Sequence, residues 1–281
     1  MKLAPVSAII PCYNCQNTIE RAVISVAEQT YRPSELILVD DASSDRTLQK
    51  LNELESKFEL GWIKLVKDKQ NRGPAAARNL GWDMAVEKYI AFLDADDAWH
   101  SRKIELQYAW MRQNPNAVLT GHRCVWKRTD AISLPAVTDT FRIIKVSPLR
   151  LLISNRFLTR SVMMRKDLPY RFNTHKRHSE DYLLWLQIVF NHYEACYMDI
   201  VLAYSFKAPI GESGLSGNIW AMEKGELDTF RRLYREGFIS YGVFLCLIHY
   251  SLTKHMIRFI RCKTKPMHAF STLAKMNIAC W

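Results

Sequence analysis

Acidic residues at the ends of two apolar segments are the side chains of this sequence best suited to chemistry. Each cluster directly follows a short apolar run: Asp40 and Asp41 after residues 35–39, and Asp94, Asp96 and Asp97 after residues 89–93. Ligands of an open α/β sheet bind beyond the carboxyl ends of its strands, so both clusters are expected at one edge. Crowded carboxylates repel one another unless a cation offsets them. The pattern predicts a divalent metal ion there, the alternative being an acidic turn that caps the next helix.

Strand and helix patterns alternate over the first 115 residues and would position these clusters. Short apolar runs predict strands at 6–10, 35–39, 62–66 and 89–93. Amphipathic segments between them predict helices at 18–29, 45–57, 74–87 and 102–113. This alternation predicts a Rossmann-like, doubly wound α/β fold with a mostly parallel central sheet. Beyond residue 115 the pattern loosens, with helices predicted at 148–154, 179–192, 219–235 and 241–261.

Charge and cysteine content restrict the class of protein. The chain has 281 residues and a formal net charge of +11, with the basic excess in its second half. This asymmetry favours an anionic partner, namely nucleic acid, a phosphate-bearing substrate or an anionic membrane surface, although a solvated basic surface is the simpler reading. The seven cysteines lack paired metal-ligand spacing, which suits free thiols in a reducing cytoplasm. No signal peptide is visible, and the longest apolar stretch, 238–252, is too short to cross a bilayer.

Five sequence blocks in the first hundred residues, and a sixth near residue 180, resemble the inverting glycosyltransferase family 2. The blocks are Val6–Asn14, Ser25–Thr30, Val39–Asp45, Asn71–Gly81, Phe92–Asp97 and His178–Trp185. The resemblance covers residues 4 to 190 and implies the A-type glycosyltransferase fold. The order of predicted elements divides the chain into a catalytic domain over 1–215, with a nucleotide-binding half to about 115 and an acceptor half from 116, and a basic helical extension over 216–281.

The resemblance also assigns nucleotide and metal ligands. A UDP-sugar donor would be bound by Pro11, Tyr13, Asn14, Asp40, Asp41, Arg78, Asp94 and Asp96, and Mn²⁺ or Mg²⁺ by Asp96 and Asp97. The chemistry agrees, because hard cations prefer carboxylate and phosphate oxygens and an aromatic ring can stack on a base. Each residue type also has an ordinary structural role: Tyr13 in packing, Asp40 and Asp41 as helix caps, and Arg78 in an ion pair with Asp41 or another acid.

Glu180 and Asp181 are the predicted catalytic acids. A general base must reach the acceptor hydroxyl on the face opposite the leaving group. The resemblance gives that role to Asp181 and lets Glu180 orient the acceptor. Acids in the first turn of a helix also stabilise it through the helix dipole, so a structural role is the alternative. The preceding residues 172–178 are more basic than is usual in the family, which suits contact with a phosphate on the acceptor.

The function implied is metal-dependent transfer of a hexose, glucose or galactose, from a UDP-sugar to a lipid-linked saccharide carried on undecaprenyl diphosphate, as in O-antigen or capsule biosynthesis. We expect a cytoplasmic protein, peripheral on the inner membrane. Val243, Leu247, Tyr250 and Ile257 would form a membrane-facing stripe, or alternatively pack on the catalytic domain. The other classes considered are an inactive sugar-nucleotide binder and a nucleic-acid-binding protein. No nucleic acid is expected, because aromatic residues are not interleaved with the basic ones.

Overall fold

A nine-stranded mixed sheet is the centre of the fold. The computed structural model describes residues 2–127, 137–206 and 218–264, with side chains to residue 257. The strands are β1 (Lys2–Cys12), β2 (Tyr31–Asp40), β3 (Ile63–Lys67), β4 (Tyr89–Phe92), β5 (Asp97–Trp99), β6 (Ala117–Trp126), β7 (Ile143–Lys145), β8 (Met163–Arg165) and β9 (Glu194–Ser205). Their order is β3-β2-β1-β4-β8-β6-β9-β5, with β7 pairing β9. The predicted α/β class with a mostly parallel mixed sheet is confirmed.

Eight helices cover the sheet over the described residues. They are α1 (Ile19–Ala27), α2 (Thr47–Ser56), α3 (Pro74–Met84), α4 (Lys103–Gln113), α5 (Pro148–Ile153), α6 (Glu180–Phe190), α7 (Ile219–Arg235) and α8 (Tyr241–Thr264). The sequence also suggests Ser101 as the N-cap of α4; in the structure Arg102 holds that position without a side-chain hydrogen bond, and Gln29 Oε1 instead accepts the Ile104 backbone N–H at 3.0 Å. The glycine- and serine-containing stretch 210–217, for which the sequence predicts a loop, lies outside the described residues.

The central strands are apolar on both faces because helices cover both sides of the sheet. Alternation along the strands separates two cores. Ile9, Ile37 and Phe92 lie in one, and Ile10 and Leu38 lie in the other. All five are fully buried. Burial on both faces fixes the strand register, since a shift by one residue would exchange the two sets.

The parallel strands β2, β1 and β4 end at the same edge, where the acidic clusters begin. Cys12 pairs with Asp40 in register, and Ile9 pairs with Phe92. The chain therefore brings both clusters to the carboxyl ends of adjacent strands, as predicted. Helix α3 lies so close to β1 that a Cβ on Gly81 would be 2.5 Å from Ile9 Cγ2.

The C-terminal helices pack on the rest of the molecule. Phe230, Leu233, Ile239 and Leu247 belong to the same hydrophobic core as the central strands. Leu247 is buried, so it does not join the exposed stripe predicted on α8. In the described parts of the chain, none of the helices has both the length and the apolar character that a bilayer crossing requires.

Candidate active site

A cavity of about 910 Å³ opens at the carboxyl edge of the parallel strands. It is lined by nine of the eleven residues predicted for the site: Pro11, Tyr13, Asn14, Asp41, Arg78, Asp94, Asp96, Glu180 and Asp181. Asp40 and Asp97 do not line it. Asp40 is buried and accepts a hydrogen bond from the Ser43 backbone N–H at 3.3 Å, which stabilises the turn after β2.

The first end of the cavity is built by the turn after β1. Asn14 adopts φ 47°, and its Oδ1 accepts the Ser44 backbone N–H at 2.9 Å. Its own backbone N–H donates to Ser43 Oγ at 3.1 Å. The turn after β1 is thus tied to the turn after β2. Tyr13, on this turn, lines the cavity and is 51% exposed, so its ring is accessible for stacking against a base.

Asp41 ties the loop before α3 to the same end. Its two carboxylate oxygens accept the backbone N–H groups of Arg72 and Gly73, each at 2.8 Å. Gly73 has φ 87°, a conformation that favours glycine, and Pro74 then begins the helix. Burial raises the pKa of Asp41 despite these two hydrogen bonds. Each oxygen retains acceptor capacity for a ligand N–H.

Arg78 joins the two predicted acidic regions. This buried side chain of α3 donates to Asp94 Oδ1 at 2.8 Å and to Glu180 Oε1 at 3.0 Å. The structure therefore pairs it with these acids and not with Asp41, the partner considered from the sequence. Burial would lower the pKa of the guanidinium, but Asp94 and Glu180 raise it overall. Arg78 therefore links Asp94 to Glu180, which are 86 positions apart in the sequence, in the lining of the cavity.

A second arginine, Arg160, also contacts the acidic residues of the Asp94–Asp97 turn. It forms an ion pair with Asp97, and its Nη1 lies 3.8 Å from Asp94 Oδ2. Asp97 is the first residue of β5 and is fully buried. Burial raises its pKa to about 7, although the positive charge of Arg160 lowers it. Asp94 and Asp96 face the cavity and Asp97 does not, which is the division that strand alternation predicts. Of the two predicted metal ligands, Asp96 lines the cavity, where it can reach an ion bound with a ligand, and Asp97 does not.

Glu180 and Asp181, the acidic pair, open α6 at the middle of the cavity. Ser179 before them has φ 57°, the left-handed conformation, so a strained turn directs the chain into the helix. Asp181 accepts from Thr159 Oγ1 at 3.1 Å and from the Tyr182 backbone N–H at 2.7 Å. Burial raises the pKa of Asp181, and burial together with Asp181 raises that of Glu180 to about 7. A carboxylate with a raised pKa is a stronger base near neutral pH.

Sequence reasoning missed several residues of the cavity. Thr159, Arg160 and Asn155 line it next to the acidic pair, and Trp126 lines it from the end of β6. In the sequence Arg160 is one of several basic residues in the second half of the chain, and a lone arginine carries no motif. Its role depends on the antiparallel strand β8, whose preceding turn brings it beside Asp94. That contact spans 66 positions in sequence, so no local signal identifies it.

The carboxylates of the cavity could hold a metal ion only together with a ligand. Among the residues that the structure describes, no three His, Cys, Asp or Glu side chains form a cluster able to hold one. Mg²⁺ usually needs only one or two carboxylates, because substrate phosphates and waters complete its coordination, and Mn²⁺ accepts the same ligands. Asp96 lines the cavity next to Asp94. These residues therefore fit an ion shared with a bound diphosphate, though not one held by protein alone.

Comparison with known proteins agrees with this geometry. The model of the family described as glycosyl transferase family 2 matches residues 7–167. This chain belongs to glycosyl transferase family 2. Escherichia coli WfgD, a UDP-Glc:alpha-D-GlcNAc-diphosphoundecaprenol beta-1,3-glucosyltransferase, is 33% identical over 184 residues, covering 66% of this chain and 69% of WfgD. The protein is therefore a glycosyltransferase.

Solved structures show the same fold. S. aureus TarS 1-349 in complex with UDP-GlcNAc has a TM-score of 0.67 at 19% identity and covers 91% of this chain and 72% of that one. The match to a longer S. aureus TarS chain covers 40% of that chain. The mannosyltransferase PcManGT from Pyrobaculum calidifontis, in complex with GDP-Man and Mn2+, has a TM-score of 0.64 at 19% identity and covers 96% and 79% of the two chains. The family 2 chain described here has this A-type glycosyltransferase fold.

Proposed function

We propose that this enzyme transfers a hexose, glucose or galactose, from a UDP-sugar to a hydroxyl group of a saccharide linked to a lipid diphosphate, with inversion at the anomeric carbon. The acceptor class is supported by WfgD, which is named for UDP-Glc and a GlcNAc-diphosphoundecaprenol acceptor. The reaction belongs to the assembly of a bacterial surface polysaccharide such as O-antigen or capsule.

The main support for the proposal is that one cavity contains both the turn suited to bind a nucleotide and the acidic pair suited to act as general base. Tyr13 and Asp41 lie at one end of it, and Glu180 and Asp181 lie further along the same lining. The volume of about 910 Å³ lies in the range of pockets that hold a ligand the size of a sugar nucleotide. Donor and acceptor can therefore meet in a space bounded by the proposed base.

The residues divide the work of the transfer. The Tyr13 ring stacks on uracil, and Asp41 accepts an N–H of the base. Asp181 removes the proton from the acceptor hydroxyl, whose oxygen forms the new bond to the anomeric carbon. The bond from that carbon to the β-phosphate oxygen breaks, and its electron pair leaves with UDP. Attack opposite to the leaving group inverts the anomeric configuration.

Three further groups support the reaction. Arg78 fixes Asp94 and Glu180 relative to each other. Glu180 orients the acceptor, as the resemblance implies. Mn²⁺ or Mg²⁺, held by Asp96 and the diphosphate oxygens, would supply charge neutralisation for the leaving UDP.

The test is turnover with defined substrates. Purified protein with Mn²⁺ is incubated with UDP-glucose or UDP-galactose and a synthetic GlcNAc-diphospho-lipid, and the product linkage is read by NMR. Asp181→Asn should lose about 10³-fold or more of the transfer rate, because proton transfer by a positioned base contributes about 10²–10⁴-fold. UDP binding measured by calorimetry should persist in that variant.

A matched control and two contrary outcomes complete the test. Asp83→Asn removes an exposed aspartate that pairs with Arg171 far from the cavity lining, and it should leave transfer unchanged. Full activity of Asp181→Asn would refute the assignment of the base. UDP binding without turnover of any tested sugar would instead favour a catalytically inactive sugar-nucleotide binder.

We also propose that α8 contacts an anionic membrane. Leu245, Leu252 and Met256 recur at helical spacing and are 47%, 38% and 60% exposed, on the side opposite the buried Leu247. Helix α8 has four basic residues in its sequence and no acidic one. Apolar side chains with adjacent positive charge favour an anionic interface. The protein would then be peripheral on the cytoplasmic face of the inner membrane.

Vesicle sedimentation tests this contact. Wild-type protein should sediment with phosphatidylglycerol-containing vesicles more than with pure phosphatidylcholine, and the Leu252→Glu/Met256→Glu variant should lose that binding. Leu60→Glu changes a fully exposed leucine elsewhere on the molecule and should keep it. Equal sedimentation of the three proteins would contradict a docking role for this face.

A further inference from the structure

The C-terminal helices line a further part of the same cavity, here called the second end. Ile219, Met222 and Glu226 of α7 line it, and Lys254 lines it from α8. The three α7 residues are spaced i, i+3 and i+7, so they share one face of the helix. Arg177 lines the same end from the loop before the acidic pair. None of these residues is needed by the nucleotide or by the base.

Helix α7 is fixed against the loop that precedes the acidic pair. The buried ammonium of Lys176 donates to the Gly225 carbonyl oxygen and, at 3.2 Å, to Asp228. The helix also lies so close that a Cβ on Gly225 would be 2.7 Å from the His178 carbonyl oxygen. These contacts set the rotation of α7, which directs Met222 and Glu226 to the cavity.

The second end presents positive charge at a defined place. Lys254 Nζ lies 2.8 Å from Glu226 Oε1, and the two side chains are 21% and 10% exposed. An ammonium has three N–H donors, so this contact leaves donors for a ligand. Arg177 is exposed and lines the same cavity, and a guanidinium can bind a phosphate through two parallel hydrogen bonds. In the described parts of the chain, the buried Nδ1 of His178 has no hydrogen-bond partner.

We propose that this second end binds the diphosphate of the lipid-linked acceptor, with Arg177 and Lys254 as the residues that recognise it. Ile219 and Met222 contact the apolar faces of the acceptor next to the diphosphate, and Glu226 orients Lys254. The assignment rests on the proposed function and specifies which residues select the acceptor. A saccharide that lacks the diphosphate would lose these contacts while still reaching the base.

Binding to two acceptors tests the assignment. Calorimetry on the UDP-loaded protein compares a short-chain GlcNAc-diphospho-lipid with the O-alkyl GlcNAc that lacks phosphate. Wild-type protein should bind the diphosphate acceptor more tightly than the phosphate-free one. Arg177→Gln and Lys254→Gln should each reduce that preference about tenfold or more, because this is the loss typical of a hydrogen bond to a charged group. Binding of the phosphate-free acceptor and of UDP should not change.

Matched variants separate recognition from general damage. Lys254→Arg keeps the charge and should keep the preference. Lys224→Gln and Arg231→Gln remove exposed charges of α7 outside the cavity lining and should behave as wild type. Melting temperatures identify a variant that is merely unfolded. In that case Lys254→Arg and Arg177→Gln decide the result.

Two results would overturn the assignment. One is equal weakening of both acceptors in Arg177→Gln and Lys254→Gln, and the other is a wild-type protein with no preference for the diphosphate. Failure of the proposed function has a different signature. If the variants lose diphosphate-acceptor binding but wild-type protein transfers no sugar to that acceptor, the binding site stands and the proposed reaction is wrong.

Discussion

Replacement of Glu180 by glutamine should make the protein more stable at alkaline pH. Glu180 is buried, and burial together with Asp181 raises its pKa from 4.5 to about 7 although Arg78 acts in the opposite direction. Between these two values the folded protein binds more protons than the unfolded chain, so the free energy of unfolding falls as pH rises. Glutamine has no ionisable proton, and Glu180→Gln therefore removes this loss.

The size of the effect follows from the difference between the folded and unfolded pKa. One pKa unit corresponds to about 1.4 kcal/mol, so ionised Glu180 lowers the free energy of unfolding by about 3 kcal/mol above pH 8. At pH 5.5 the same linkage gives about 1 kcal/mol. We expect Glu180→Gln to be more stable than wild type by these amounts and to transfer sugar more slowly. Urea unfolding followed by tryptophan fluorescence at pH 5.5 and pH 8.5 measures the difference.

Glu35 provides a matched control of opposite sign. It is also buried, but hydrogen bonds from Lys64, from Ser7 Oγ at 2.5 Å and from the Val86 backbone N–H at 2.8 Å lower its pKa, against the effect of burial. A lowered pKa stabilises the fold above the unfolded value and that stability is lost as pH falls. Glu35→Gln should therefore be less stable than wild type at pH 8.5. The reasoning for Glu180 would be wrong if Glu180→Gln did not raise the free energy of unfolding at pH 8.5, or raised it equally at pH 5.5 and pH 8.5.

Three other outcomes follow from the site. Arg160→Met should lower the free energy of unfolding by about 3–5 kcal/mol, since it leaves the buried Asp97 carboxylate unpaired. Adding Asp97→Asn should restore part of the lost stability, as measured by urea unfolding. Cys15 lines the cavity, and a hydrogen bond with Cys12 lowers its pKa. Iodoacetamide labelling, read by mass spectrometry, should therefore modify Cys15 more slowly when UDP is present. The exposed Cys246 should react at the same rate with and without UDP. Finally, kcat/KM should fall below about pH 7 as Glu180, which orients the acceptor, becomes protonated. A flat profile between pH 5.5 and 9 would contradict this role of Glu180.

The sequence predicts the nucleotide end of the cavity well because local rules determine it. Apolar runs that end in Asp41 and Asp94 identify parallel strands and the edge where they end. Gly73 and Pro74 mark the start of α3, and the structure has φ 87° at Gly73. Helix α7 is predicted with its observed bounds, because its amphipathic period is uninterrupted.

The second half of the cavity depends on contacts between distant segments. The sequence does not show that Arg160 meets Asp94, or that Lys254 meets Glu226, because antiparallel strands and packed helices bring them together. The burial of Asp97 cannot be foreseen from the sequence for the same reason. Its pairing with Ser205, on the distant strand β9, makes it the first residue of a buried strand.

The contact between Lys176 and α7 also determines how this enzyme can be recombined with its relatives. A graft of the C-terminal helices alone would bring in a foreign α7 and leave Lys176 without the Gly225 carbonyl that it binds. The lysine would then be a buried ammonium without its acceptor, and a foreign side chain in place of Gly225 would collide with His178. The smallest exchangeable unit therefore runs from about residue 172, before the acidic pair, through α8. Acceptor preference and the general base would be inherited together in such a chimera.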